Sequence, residues 1–141
     1  MNFIALLDSA RPYLDCFDYD HYPQCFREFE ENASDFFRSL EGASPDETAQ
    51  RLVELTAARW KARPFWERAD LARKDRTVLA LFFAPAAVRH SERAGAFAAA
   101  LQERWNARFP RNRFLAGDYD KIMQGFDKDF LGIKLRKSER R

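Results

Sequence analysis

Cysteine, histidine and glycine are all scarce in this 141-residue chain, which holds two Cys, two His and five Gly. Two thiols cannot build a disulfide framework, and without an export signal the default compartment is a reducing cytoplasm. The glycines form neither GxGxxG nor GxxxxGK[ST], so both common phosphate-cradling loops are missing. Long apolar runs are missing too. The longest uncharged apolar stretch, Thr77 to Val88, is 12 residues, against the roughly 20 that a membrane-spanning helix needs. No basic n-region follows Met1. The sequence therefore predicts a cytoplasmic protein with no membrane association, spanning helix or signal peptide.

Two histidines leave little room for nucleophilic catalysis, which needs a nucleophile, a base and an orienting group brought together. A Cys16 or Cys25 dyad with His90 has no local motif around it. Cys16, His21 and Cys25 do share one short segment with Asp15, Asp18 and Asp20, which combines thiolates, an imidazole and hard oxygens. Their Cys-x4-His-x3-Cys spacing matches no familiar zinc pattern, and a tetrahedral site needs a fourth ligand such as His90 or one of those aspartates. No glycine stands at the sixth position counted from Asp18 or Asp20, so the segment is not a calcium loop. The expectation is no cofactor and no metal, with Cys16, His21 and Cys25 as the weak metal candidates. The reading leans against an enzyme.

What the chain does hold is apolar mass and charge, with 46% hydrophobic and 33% charged residues. That balance and this length suit one globular domain, expected over residues 1–136 with a frayed polar tail at 137–141. The fourteen Phe predict an aromatic-rich core. The net charge of +2 hides a division. Residues 1–50 carry 3 Lys or Arg against 11 Asp or Glu, a net of −8, while residues 51–141 carry 21 against 11, a net of +10. Either the two parts neutralise each other within one fold, or they face outward toward partners.

Periodicity predicts helices throughout. A short helix or an extended segment covers Asn2 to Asp8, Pro12 stops it, and a loop or broken turn runs from Arg11 to Pro23. Phe26, Phe29, Ala33, Phe36, Phe37 and Leu40 form one helical stripe, ended by Gly42 in the left-handed region. Ser44-Pro45-Asp46-Glu47 reads as a capping box opening a helix with Ala49, Leu52, Val53, Thr56 and Trp60 inward, ended by Pro64. Thr77 to Phe83 is apolar enough for a buried strand but has no partner strand. It is therefore read as a helix from about Asp75 to Ala84, separate from or continuous with one from about Pro64 to Lys74, and broken or kinked at Pro85. Ser91 caps a helix from Glu92 to Arg108, and Asp118 a short one through Gln124. An extended basic C-terminal segment follows. The fold class expected is all-α, a single domain of five or six helices.

Two basic segments stand out, 59–76 and 104–113. In the first, Arg59, Arg63, Arg68 and Arg73 are interleaved with Trp60 and Trp66, the combination by which single-strand binders neutralise phosphates and stack bases. In the second, Arg108 and Arg111 flank a turn. Solvated helix faces with a Trp core explain the same residues, and Glu54, Glu67, Asp70 and Asp75 dilute the field. The first expectation is a small non-enzymatic binding or regulatory protein acting through protein–protein contact or self-association. The alternatives are nucleic-acid binding through the two basic segments, and a metalloprotein or enzyme built on the Cys16, His21 and Cys25 loop.

Overall fold

Helix α1 spans Phe3–Ala10 and is capped by Asn2, whose side-chain oxygen accepts the Ala5 N–H at 2.8 Å. The computed structural model describes residues 2–16 and 21–114, with the backbone of two strand segments, Asp129–Phe130 and Ile133–Lys134. After Pro12 comes a single turn, α2 (Tyr13–Cys16). Helix α3 (Tyr22–Ser39) buries Tyr22, Phe26, Phe29, Ala33 and Phe37 along the expected stripe. Gly42 follows at φ +83°, where a side chain would be strained. Helix α4 (Pro45–Lys61) opens as expected, the Ser44 hydroxyl accepting the Glu47 N–H at 3.3 Å. Its inward face is Thr48, Ala49, Val53, Thr56, Ala57 and Trp60.

The segment read as helix or strand is helical, and it is continuous. Helix α5 (Phe65–Val78) passes through a π-helical segment (Leu79–Phe83) into α6 (Ala84–His90) without a break at Pro85. Of the break or kink expected there, the break does not occur, and a residue distant in sequence explains why. Pro85 has no N–H to give the Leu81 carbonyl four residues back, and the Tyr22 hydroxyl donates to that carbonyl instead. Both residues are buried. The Ala84 N–H reaches the Leu79 carbonyl five residues back, a wider register of the kind that relieves crowding inside a helix.

Helix α7 (Glu92–Arg108) starts at Ser91, whose hydroxyl accepts the Ala94 N–H at 3.0 Å. A two-residue antiparallel ladder sets Asp129 opposite Lys134 and Phe130 opposite Ile133. The expected helix from Asp118 to Gln124 and the tail at 137–141 lie outside the described residues. Counting α5 to α6 as one rod, the described residues make five helices of two or more turns plus the single turn α2. The fold is all-α. None of these helices is long and apolar enough to cross a membrane.

The core has two aromatic centres. Phe82, inside the π segment, meets the rings of Tyr13, Tyr22 and Phe29 at 5.3–5.7 Å. Its neighbour Phe83 meets Phe3 and Phe37 at 5.4 and 5.3 Å. At the far side Trp60 stands edge-on to Trp105 at 5.3 Å and beside Phe109 at 4.5 Å, joining α4 to α7. Ion pairs also cross the charge division: Asp8 to Arg59 at 2.5 Å, Glu30 to Arg89 at 2.6 Å and Asp46 to Arg104 at 3.9 Å.

Removing the Tyr22 hydroxyl strands the Leu81 carbonyl in an apolar core. Tyr22→Phe should lower unfolding free energy by about 1–3 kcal/mol, measured by urea denaturation. In a Pro85→Ala background the same substitution should cost less, because the alanine there supplies an N–H. Equal costs in both backgrounds would show that the hydroxyl does not stand in for the missing donor.

Candidate functional site

The organising residue of the basic stretch is an acid. Asp75 lies on the inward side of α5 with 0% exposure, on the stripe that also buries Leu71 and Val78. Its carboxylate accepts from Trp60 Nε1 at 2.8 Å, Arg11 Nη2 at 3.0 Å and Arg59 Nη1 at 3.2 Å. Asp8, on α1, pairs with the same two arginines at 2.7 and 2.5 Å. Burial pushes the Asp75 carboxyl above the usual carboxylate range, against the pull of Trp60, Arg11 and Arg59 in the other direction.

This network settles two of the expected candidates. Arg59 is mostly buried and holds two carboxylates. Trp60 is 9% exposed, with its ring in the α4–α7 core and its N–H on Asp75, so a role stacking on a base is corrected to a core role. The remaining basic candidates are largely engaged within the chain. Arg63 faces Glu67 at 3.7 Å, Arg73 pairs with Asp70, and Arg108 donates to Glu54 at 3.2 Å. Arg68 donates to the Arg63 and Lys61 carbonyls at 2.9 and 3.1 Å, covering the chain between α4 and α5. Arg111 is exposed in the turn after α7. The two basic segments do meet, since Lys61 and Arg68 share a shallow groove of about 310 Å³ with Arg108 and Phe109.

Trp66 behaves differently from Trp60. All ten residues from Lys61 to Asp70 are exposed, Phe65 at 75% and Trp66 at 70%. The two rings contact only edge to face, at 5.3 Å and 80°. Beside them lies a cleft of about 290 Å³ floored by Leu71, with Arg11, Arg63 and Lys74 opposing Glu67 and Asp70 around Trp66. Hydrogen bonding from Arg73 holds the Asp70 carboxyl below its ordinary range, so it is charged near neutral pH.

No family model, curated protein or solved structure matches this chain. Its chemistry rests on its own residues.

The metal candidates do not assemble into a site that can be described. His21 is exposed in the turn before α3, and Cys25 is half-buried against the core. The Cys16 side chain, Asp18 and Asp20 lie outside the described residues. Among the described residues no three of His, Cys, Asp and Glu come together as a metal-binding group. His90 stands apart from this loop, its ring 5.3 Å from Phe37.

Reading the sequence missed Asp75, which counted only as a charge diluting a basic field. The available signal was its spacing: an acid four residues after Leu71 and three before Val78, on an apolar stripe. Its linkage to pH has a definite sign. A carboxyl whose folded pKa is raised adds stability that is fully present below the unfolded value, about 3.9, and lost as pH rises through the folded value. Urea denaturation of wild type and Asp75→Asn should therefore show the wild-type advantage shrinking as pH rises from about 4. An advantage that grows over that range would mean the arginines outweigh burial.

Proposed function

We propose that this is a non-enzymatic binding protein of the cytoplasm that works by protein–protein contact, docking through the exposed start of α5. The observation that carries this reading is the pair Phe65 and Trp66, two large rings in water on the outermost turn of an otherwise anchored helix. Leaving such rings exposed forgoes roughly 1.5–3 kcal/mol each relative to burial, and helices draw most of their stability from packing an apolar face. Two adjacent aromatics that contribute little to the fold match the composition of interface anchors, where Trp is enriched. The charges around them pair with one another, which suits a polar rim.

Exposure of Trp66 between Arg63 and Arg68 also favours a second reading, stacking on single-stranded nucleic acid. Against it, Arg59, Arg63, Arg73 and Arg108 already face carboxylates, so few cations remain to displace counterions from phosphates.

A photo-cross-linking residue at position 66, expressed in the host, should give a discrete protein adduct. The same residue at the exposed Val88 on α6 should give none. Trp66→Ala should change unfolding stability by less than about 0.5 kcal/mol, as expected for a surface position. Absence of a protein adduct, together with salt-sensitive binding of mixed-sequence oligonucleotides in fluorescence anisotropy, would replace this reading with the nucleic-acid one.

A further inference from the structure

Resting on that reading, we propose that the docking face continues into the groove between α4, α5 and the end of α7, and that this groove takes an acidic segment of a partner protein. One apolar side chain of that segment sits on the groove floor and its carboxylates meet the cations at the rim. The α5 side of the groove is a single helical stripe. Arg68, Ala69 and Ala72 line it, and they follow Phe65 at i+3, i+4 and i+7, so all four share one side of α5. The Phe65 ring, 75% exposed, therefore stands one turn above Ala69 in line with the groove. Trp66, the next residue, turns about 100° away, toward the cleft floored by Leu71. Across from the stripe, Ala57 and Trp60 of α4 and Phe109 complete an apolar floor.

The charged residues that line the groove are Lys61, Arg68 and Arg108, all of them cations. Among the described residues no carboxylate pairs with Lys61 or Arg68. Arg68 donates to the Arg63 and Lys61 carbonyls, which holds its guanidinium in place without neutralising it. The carbonyl end of α4 beside them offsets only about half a charge. Arg108 does face a carboxylate, Glu54 at 3.2 Å, but both side chains are 40–50% exposed, and such a pair is exchanged at little cost. An apolar floor under an uncompensated cationic rim is complementary to an apolar side chain bracketed by Asp or Glu. A groove this shallow, about 310 Å³, leaves a free small molecule largely in water, whereas it suits one anchor of a longer segment. Nucleic acid fits the floor poorly. Arg108 already lies over the Phe109 ring at 5.3 Å and Trp60 packs beside it at 4.5 Å, so the floor presents no open ring for a base to stack on.

The test is fluorescence anisotropy of purified full-length protein with a labelled peptide that sets a Leu-Phe pair among glutamates. This peptide should bind, and replacing its Leu-Phe by Ser-Ser should weaken binding about tenfold or more. Replacing its glutamates by lysines, or Lys61→Glu in the protein, should each weaken it about tenfold as well. The lysine peptide should in turn bind Lys61→Glu more tightly than it binds wild type, a gain that a misfolded variant would not show. No binding of the glutamate peptide, equal binding of the glutamate and lysine peptides, or equal binding of the Leu-Phe and Ser-Ser peptides would overturn the acidic segment as occupant. So would a mixed-sequence oligonucleotide that binds more tightly than the peptide and is lost on Lys61→Glu, which gives the groove to nucleic acid. Any of these results with a protein adduct at position 66 in the host leaves protein–protein contact standing. The same results with no adduct there defeat both.

Discussion

Burying Asp75 removes a carboxylate from water at a cost that only its three donors offset, and those donors come from separate parts of the chain. Trp60 and Arg59 belong to α4, Arg11 to the corner between α1 and α2, and Asp75 itself to α5. A buried charge is tolerated only with such a full set of partners. The position and rotation of α5 are therefore tied to α4 and to the α1 corner at one point. Asp8 completes the arrangement by neutralising the second arginine charge, so the cluster holds two acids and two arginines. Much of the apparent basic character near residue 59 is spent here, inside the fold.

The second constraint on the same rod is the carbonyl of Leu81. A proline in the middle of a buried helix should break it, because it deletes a donor and crowds the carbonyl one turn back. The chain keeps the helix by widening it through the π segment and by sending the Tyr22 hydroxyl across from α3. Nothing local announces this. Tyr22 is 59 residues away from Leu81, so the break or kink expected at Pro85 followed from nearby residues, whereas the continuity of the helix there draws on a distant one. Caps and stripes were legible because they depend on neighbours: Ser44 with Glu47, Ser91 with Ala94, and the Phe ladder of α3. The difference between the two tryptophans was half legible. Trp60 falls on the apolar stripe of α4, where a core role is natural. Trp66 has no stripe of its own, and only the packing shows that its turn of helix stands clear.

Charge followed the same rule. The division between −8 and +10 is visible in the chain, but its meaning depends on which charges meet. Asp8 with Arg59, Glu30 with Arg89 and Asp46 with Arg104 tie the two parts together within the fold. Other acids, among them Glu28, Glu31 and Asp35 on α3, remain at the surface. The division is thus neutralised in part within the fold, while part of the acidic charge of α3 stands at the surface.

The anchors of the long rod also explain why an exposed aromatic pair can be held at its tip. From Leu71 onward the inward face is buried, fixed by Asp75 and then by the fully enclosed Leu79 to Phe83. The first two turns bury nothing and still continue a helix whose downstream turns are clamped. A helix propagates far more easily than it nucleates, so the clamped part templates the free part. Phe65 and Trp66 are thereby presented on a rigid support, which reduces the ordering cost of any contact they make. Loosening Asp75 would reach that surface without touching it, because its carboxylate ties the buried half of α5 to α4 and to the α1 corner.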